Sequence, residues 1–445
     1  MPIEIGELLD HGPWPRFAKL ATLLFAIAII FDGFDISIVG FAVPSIIQDW
    51  HLPRASFAPL LVIGLLGMMV GSAIAGFIGD RIGRRAALSL SVLLFGVGVA
   101  ASAFAPNLLT IEVLRFIAAC GIGGALPNAA TMSGEFTPIK MRTVAVMSTI
   151  ICVPLGAALA GSVAGVVVPL GGWRALFFIG GILPILLSFV MFWLVPESPR
   201  FLARHPERAP ELVRLLGRLG HAVPPDATFI ESASQTAAPS LTDFFGPRQA
   251  LSTLSLWLTF FASGASVYLC LSWLPSLLSA RQLGSAVSIE GLEAWNYGGF
   301  IGVVGFVLLV NRLGSRILTL TACLGAVVSA LLLVTMGVKQ GVNAPLLLTA
   351  LAAHGFFVNA LQTSLFALGV YLYPTRVRAR GVAVASAMTR LGGILSASLG
   401  SWLIQLGSDQ FFEYLMAAML IAFVGMALLR NHIPKVEPKT LPVAA

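Results

Sequence analysis

Two carboxylates lie inside the first long apolar segment of the chain, in the run Asp32-Gly33-Phe34-Asp35. Residues i and i+3 share one face of a helix, so both side chains lie on the same side. Ionisable groups at membrane depth are costly and mark cavities, charged partners or proton pathways. Burial and mutual repulsion favour the protonated form of at least one carboxyl, and the pair then titrates as a unit. Asp32 and Asp35 are therefore candidates for binding and releasing a proton.

Two arginines also lie within apolar segments, Arg115 in the fourth and Arg390 in the eleventh. A guanidinium stays charged and can hold a carboxylate through two parallel hydrogen bonds. We predict that both arginines bind the anionic group of a substrate. The alternative is structural, because either arginine could form a permanent ion pair with Asp32 or Asp35. Both interpretations hold if a substrate carboxylate competes with the aspartate.

Polar and aromatic side chains in two later segments are further candidates for substrate binding. His354, Asn359 and Gln362 in the tenth segment could contact ring hydroxyls or carry protons, or could instead form hydrogen bonds between helices. Tyr268 and Trp273 in the seventh segment fit a substrate-stacking wall or an interfacial aromatic belt. All five are predicted here to bind substrate, with those alternatives left open.

The fourth segment carries two more candidates. Asn128 follows Pro127 in mid-helix, where a bend could line a cavity or simply mark a packing kink. We count Asn128 among the substrate-binding residues. Glu135 lies at the inner end of the same segment, and we predict that it forms a gating ion pair with a cytoplasmic arginine.

The elements that must position these residues are membrane-spanning helices. The 445 residues are 57% hydrophobic and only 11% charged, whereas soluble domains are about 25% charged. Twelve apolar segments are each long enough to cross a hydrocarbon core of about 30 Å. We predict an all-α integral membrane protein with twelve transmembrane helices in two pseudo-symmetric six-helix bundles. The bundles are expected at 1–195 and 251–430, with a cytoplasmic central loop at 196–250 and a cytoplasmic tail at 431–445.

The distribution of basic residues predicts the orientation. With both termini inside, the inner loops and tails hold 21 of the 27 Lys and Arg residues and the outer loops hold 4. An excess of this kind is typical of cytoplasmic loops. We therefore expect a multi-pass protein of the plasma (inner) membrane with both termini in the cytoplasm. The same distribution accounts for the net charge of +7 without a nucleic-acid partner.

The two halves of the chain resemble each other. The run Asp80 to Arg85 follows the second segment and the run Asn311 to Arg316 follows the eighth, and their position numbers differ by 231. A second pair of similar runs, 137–142 and 373–378, precedes the fifth and eleventh segments, and these differ by 236. Two similar offsets indicate an internal duplication, which transporters commonly contain, with the binding site near the midplane between repeats.

Several motifs resemble signatures of the major facilitator superfamily. The run Gly76-Phe77-Ile78-Gly79-Asp80-Arg81-Ile82-Gly83-Arg84-Arg85 is similar to its loop between the second and third helices, and residues 115–124 are similar to its signature in the fourth helix. The run Pro196-Glu197-Ser198-Pro199-Arg200 is similar to the sugar-porter and organic-anion branches alike. The resemblance implies that the first loop acts as a conformational latch, with four gating residues: Asp80, Arg81, Arg84 and Arg85.

The run Asp32 to Asp35 points to one branch of this superfamily. It resembles the D-G-Y/F-D signature in the first helix of aromatic acid:proton symporters, with Phe34 where tyrosine is frequent. The resemblance implies import of a small aromatic carboxylate together with protons by alternating access, through Asp32 and Asp35. Partners would then be the acid, protons and the lipid bilayer, for a monomer with no cofactor or metal.

Two other functions stay open at this point. A proton symporter for another organic anion or a sugar-like solute fits the motif at 196–200. A non-transporting membrane receptor or an intramembrane enzyme belongs to a different class, and the two midplane acids in a duplicated frame argue against it. The sequence contains no phosphate-binding loop that would make ATP the driver of transport.

Overall fold

A computed structural model describes residues 3–221, 223–224, 227–230, 246, 249–373 and 378–435. The chain forms two compact units, Met1–Gln235 and Thr236–Ala445. The described helices of the first unit are α1 (Ile5–Asp10), α2 (Arg16–Trp50), α3 (Ala58–Ile82), α4 (Arg84–Ser102), α5 (Leu108–Glu135), α6 (Ile139–Leu194), α7 (Pro199–Ala203) and α8 (Ala209–Arg218). Those of the second are α9 (Ala250–Ala280), α10 (Gly284–Leu313), α11 (Ser315–Met336), α12 (Ala344–Leu372), α13 (Arg378–Leu406) and α14 (Ser408–Leu428).

Eleven of these helices are long and apolar enough to cross a membrane. Helix α6 counts once among them although its 56 residues would span about 84 Å, far more than one hydrocarbon core. It is interrupted at Gly172, whose φ of 66° and ψ of −171° break the helical path and suit a residue without a Cβ. The fifth and sixth predicted segments are therefore the two halves of α6. The predicted all-helical membrane fold is confirmed.

The two units repeat one packing scheme. In the first unit α2 packs on α6, α3 on α5, and α4 on α5 and α6. In the second unit α9 packs on α13, α10 on α12, and α11 on α12 and α14. The helix starts correspond too: the Asn107 side chain accepts from the Thr110 amide to cap α5, and the Asn343 side chain accepts from the Leu346 amide to cap α12. This repetition is the structural counterpart of the predicted duplication.

Glycines bring the paired helices into backbone contact at equivalent positions. A Cβ added to Gly33 of α2 would lie 1.9 Å from the carbonyl oxygen of Val153, and one added to Gly264 of α9 would lie 2.3 Å from that of Thr389. The two glycines, and likewise Val153 and Thr389, are related by the same two offsets that relate the repeated runs in the sequence. Close approach through small residues is how membrane helices pack without a hydrophobic driving force.

The segment that follows the last membrane helix of each unit closes the loop between that unit's second and third membrane helices. In the first unit this loop turns at Gly83, with φ 108°, and the Glu197 carboxylate accepts from the backbone N–H of Arg85 at 2.9 Å. In the second unit it turns at Gly314, with φ 77°, and the backbone N–H of Ser315 donates to the Ile433 carbonyl at 2.9 Å. Both partners satisfy an amide at a helix start, where no intrahelical acceptor exists.

A small layer of short helices and strands completes the first unit. Strand β1 (Ile3–Glu4) pairs in parallel with β2 (Phe229–Ile230), so the described central stretch up to Ile230 belongs to the first unit. The leucines of α8, which are spaced for an amphipathic helix, are buried within the protein. An ion pair of 2.5 Å between Asp10 and Arg142 ties α1 to the start of α6.

The glycine contacts predict which substitutions the fold tolerates. We expect Gly156→Ala to lower the stability of the purified protein by about 1–3 kcal/mol, because its Cβ would lie 1.8 Å from the Ile30 carbonyl oxygen. Gly64→Ala is the matched control in α3, where a Cβ would meet no described atom within 4 Å. Thermal melting in detergent measures both. Equal melting temperatures for the two variants would contradict the assigned contact.

Candidate functional site

The two carboxylates of α2 are buried. Asp32 is 3% exposed and Asp35 is 1% exposed, and both lie near the middle of a 35-residue helix. Gly33, between them, contacts the backbone of α6 at Val153. The position of the acidic turn is therefore fixed by main-chain contact rather than by side chains that could rearrange.

Asp35 is held by Arg115 of α5. The guanidinium donates one hydrogen bond to each carboxylate oxygen, at 2.6 Å and 2.9 Å, and the two side chains are 7% and 1% exposed. A two-bond geometry of this kind is the strongest arrangement available to an arginine and a carboxylate. Of the partners considered from sequence for the acidic pair, the structure thus joins Arg115 to Asp35.

The turn between α3 and α4 and the C-terminal half of α5 form one polar cluster. Arg84 donates to Asp80 at 2.8 Å and to the Asn128 side-chain oxygen at 3.3 Å. Asn128, 1% exposed, in turn donates to the Gly124 carbonyl. The structure therefore brings Asn128 to the predicted gating residues Asp80 and Arg84. The guanidinium of Arg81 lies over the Phe77 ring.

Glu197 completes this cluster and was not assigned a role from the sequence. Its carboxylate is 1% exposed and accepts from the amides of Arg85 and Ser198. The Ser198 hydroxyl donates to Glu135, which places this predicted gating acid beside the segment that follows α6. The motif at 196–200 was visible in the sequence, but spacing alone gave no sign that its glutamate reaches back 112 residues.

The second unit places a polar group around Gln362. The Ser263 hydroxyl of α9 donates to the Gln362 side-chain oxygen at 2.7 Å, and the Gln362 amide donates to the Thr389 hydroxyl of α13 at 3.3 Å. Arg390, the next residue, is half-exposed and forms no hydrogen bond or ion pair with any residue that the structure describes. A guanidinium that has no partner among the residues described here is suited to an anionic ligand.

Among the other candidates in the second unit, His354 and Trp273 contact neighbouring helices, whereas Asn359 bonds within its own helix. His354 is fully buried, and its Nδ1 lies 3.2 Å from the Ser329 hydroxyl and 3.2 Å from the Ala326 carbonyl of α11. Asn359 donates to the Gly355 carbonyl. Trp273 is fully buried and donates to the Ala397 carbonyl at 3.2 Å. These contacts match the helix-packing alternative for His354, while Tyr268 is half-buried in α9.

Comparison with known proteins identifies the family. Residues 25–338 match the model of the Major Facilitator Superfamily. The chain belongs to this superfamily. It is a multi-pass membrane transporter rather than an enzyme, as the motifs predicted. Among the residues described here, no group of three or more His, Cys, Asp or Glu side chains could hold a metal ion.

Several relatives are transporters of aromatic acids by name. The chain is 32% identical over 436 residues to the gallate transporter of Pseudomonas putida, covering 97% of this chain and 95% of that protein. It is 32% identical to the 4-hydroxybenzoate transporter PcaK of Pseudomonas putida, covering 94% and 93% of the two chains. The inward-open xylose transporter XylE of E. coli has the same fold, with a TM-score of 0.73 at 17% identity over 93% of this chain and 97% of that one.

The buried ion pair predicts a double-mutant cycle. We expect Asp35→Asn and Arg115→Gln each to destabilise the protein by about 3–5 kcal/mol, because each leaves an uncompensated buried charge. The double variant should recover much of that loss. Asp49→Asn with Arg174→Gln is the control, since that pair is 45% and 46% exposed and should contribute at most about 1 kcal/mol. Additive losses at Asp35 and Arg115 would contradict the coupling.

Proposed function

We propose that this transporter is a proton-coupled symporter that imports a small aromatic carboxylate by alternating access. The observation that carries the proposal is the pair of buried carboxylates on α2, one of which, Asp35, is held by Arg115 through two hydrogen bonds. The named aromatic acids of the relatives support the substrate class. The bacterial relatives and the basic inner loops support an inner-membrane location with both termini in the cytoplasm.

Asp32 is the carboxylate that we assign to the proton. Both oxygens of Asp35 already accept hydrogen bonds from a guanidinium that stays charged. Protonating Asp35 would break this pair and leave Arg115 as an unpaired buried cation, which is strongly unfavourable. Asp32 lies one turn away, is equally buried and stands outside this two-bond pair. Asp35 and Arg115 then position the helix on which the proton is bound.

Arg390 is the residue that we assign to the substrate carboxylate. Its guanidinium makes no hydrogen bond or ion pair with the residues described in the structure, so two parallel donors are available to an incoming carboxylate. A neutral sugar-like solute would leave that charge uncompensated. For this reason an organic anion is favoured over the sugar alternative, and the structural likeness to XylE is evidence for the fold alone.

The cluster of Asp80, Arg84 and Asn128 is assigned to the latch. It joins the loop after α3 to the inner half of α5 through charged and polar contacts. Opening of this end of the unit would have to break or shift these bonds. Glu135 and Glu197 secure the neighbouring segment, so we count Glu197 among the gating residues.

Proton coupling is tested by uptake into liposomes. With an inward proton gradient we expect wild-type protein to accumulate radiolabelled benzoate-type acids against their concentration gradient. Asp32→Asn should abolish accumulation but retain exchange of labelled for unlabelled acid, because binding survives while coupling is lost. Asp49→Asn is the control acid outside the buried pair and should accumulate normally. Accumulation by Asp32→Asn equal to wild type would refute the assignment.

The role of Arg390 is tested by a charge-conserving substitution. We expect Arg390→Lys to weaken binding of benzoate to purified protein by about tenfold or more, because an ammonium cannot supply two parallel donors. Equilibrium binding with radiolabelled acid measures the effect. Unchanged affinity in Arg390→Lys would count against two-bond capture of the carboxylate.

A further inference from the structure

The internal duplication places a hydroxyl-rich counterpart of the acidic turn in the second unit. Matching Gly33 with Gly264 aligns Asp32-Gly33-Phe34-Asp35 with Ser263-Gly264-Ala265-Ser266. Both glycines contact the backbone of the equivalent partner helix. The two turns therefore occupy the same place in their units, with carboxylates in the first and hydroxyls in the second.

The helices around these turns also differ, because polar residues in the second unit stand where the first unit has apolar ones. Thr389 of α13 corresponds to Val153 of α6, since both backbones contact the glycine of the turn. Phe356 of α12 corresponds to Cys120 of α5, since their carbonyl oxygens contact the equivalent glycines of the paired helices, Gly302 and Gly71. The same count along each helix from these residues matches Gln362 with Leu126. The second unit thus replaces one acid and two apolar residues with a connected triad of Ser263, Gln362 and Thr389.

The triad has donors and acceptors that its internal hydrogen bonds do not use. The Ser263 hydroxyl donates to the Gln362 side-chain oxygen, and one Gln362 N–H donates to the Thr389 hydroxyl. The second Gln362 N–H has no acceptor among the described residues, and the proton of Thr389 likewise has none there. The Ser263 oxygen keeps lone pairs. Gln362 is only half-buried, so a ligand hydroxyl could both donate to and accept from this group.

We propose that Ser263, Gln362 and Thr389 form a subsite for a ring hydroxyl of the substrate, beside the carboxylate-binding Arg390. The inference rests on the proposed function and specifies its substrate class as hydroxylated aromatic carboxylates. A neutral triad suits this role because a hydroxyl needs both a donor and an acceptor, whereas a carboxylate in its place would only accept. A site built to pair with a hydroxyl discriminates against the analogue that lacks it.

A packing role for the same hydroxyls is the competing explanation, and the chain contains a matched control for it. Ser396 of α13 is also buried and donates to the Ala265 carbonyl of α9 at 2.6 Å. It joins the same two helices but stands outside the triad. If the Thr389 hydroxyl only stabilises the packing of α9 on α13, Ser396→Ala and a Thr389 variant should have the same effects on substrate binding.

The experiment is equilibrium binding of radiolabelled 4-hydroxybenzoate and benzoate to purified protein, with melting temperature recorded for every variant. Thr389→Val keeps the side-chain shape and removes the hydroxyl, and Gln362→Leu removes the amide. We expect each to weaken 4-hydroxybenzoate binding by about three- to tenfold, the effect of one lost hydrogen bond, with benzoate binding unchanged. Thr389→Ser should retain the preference for the hydroxylated acid, and Ser396→Ala should leave the ratio of affinities as in the wild type.

The outcomes separate this subsite from the proposed function. If the wild type binds neither acid, the aromatic-acid function fails and the subsite fails with it. If it binds acids but the affinity ratio is the same in wild type, Thr389→Val and Gln362→Leu, only the subsite is overturned. The same holds if Ser396→Ala shifts the ratio as much as Thr389→Val does. A Thr389→Val protein that does not fold leaves Gln362→Leu and Thr389→Ser to decide.

Discussion

A buried charge in a membrane protein must have a partner, and the first unit is built around one such pair. Asp35 and Arg115 neutralise each other through both carboxylate oxygens. Their helices, α2 and α5, are set by close packing against α6 and α3. Desolvating two charges is costly unless the geometry is good, so the positions of these helices and the quality of the pair depend on each other. The buried charge of Asp35 is stable within the membrane span because the Arg115 guanidinium bonds both of its oxygens.

The sequence predicted the elements well for a physical reason. A helix in lipid must satisfy its own backbone, so length and hydropathy alone define a span. The first and fourth predicted segments correspond to the helices Arg16–Trp50 and Leu108–Glu135. The offsets of the two repeats, read from loop motifs, reappear in the packing of Gly33 and Gly264.

The sequence could not predict which side chains meet, because that depends on the rotation of each helix about its axis. Arg115 and Arg390 were equally eligible partners for the acidic pair, and only the structure joins Arg115 to Asp35. Asn128 was expected beside substrate but bonds to Arg84. Trp273 was a candidate stacking surface and is enclosed between α9 and α13. The contacts of Glu197 span more than a hundred residues, which no local spacing reveals.

The loop closures described above also impose an order on assembly. The Arg85 amide finds its acceptor in Glu197, 112 residues later, and Ser315 pairs with Ile433, 118 residues later. Each partner comes directly after the last membrane helix of its unit. During synthesis, therefore, the contact at the Gly83 turn cannot form until the sixth crossing has emerged. Each unit has its own contact of this kind, and the contact in the first unit needs no residue of the second.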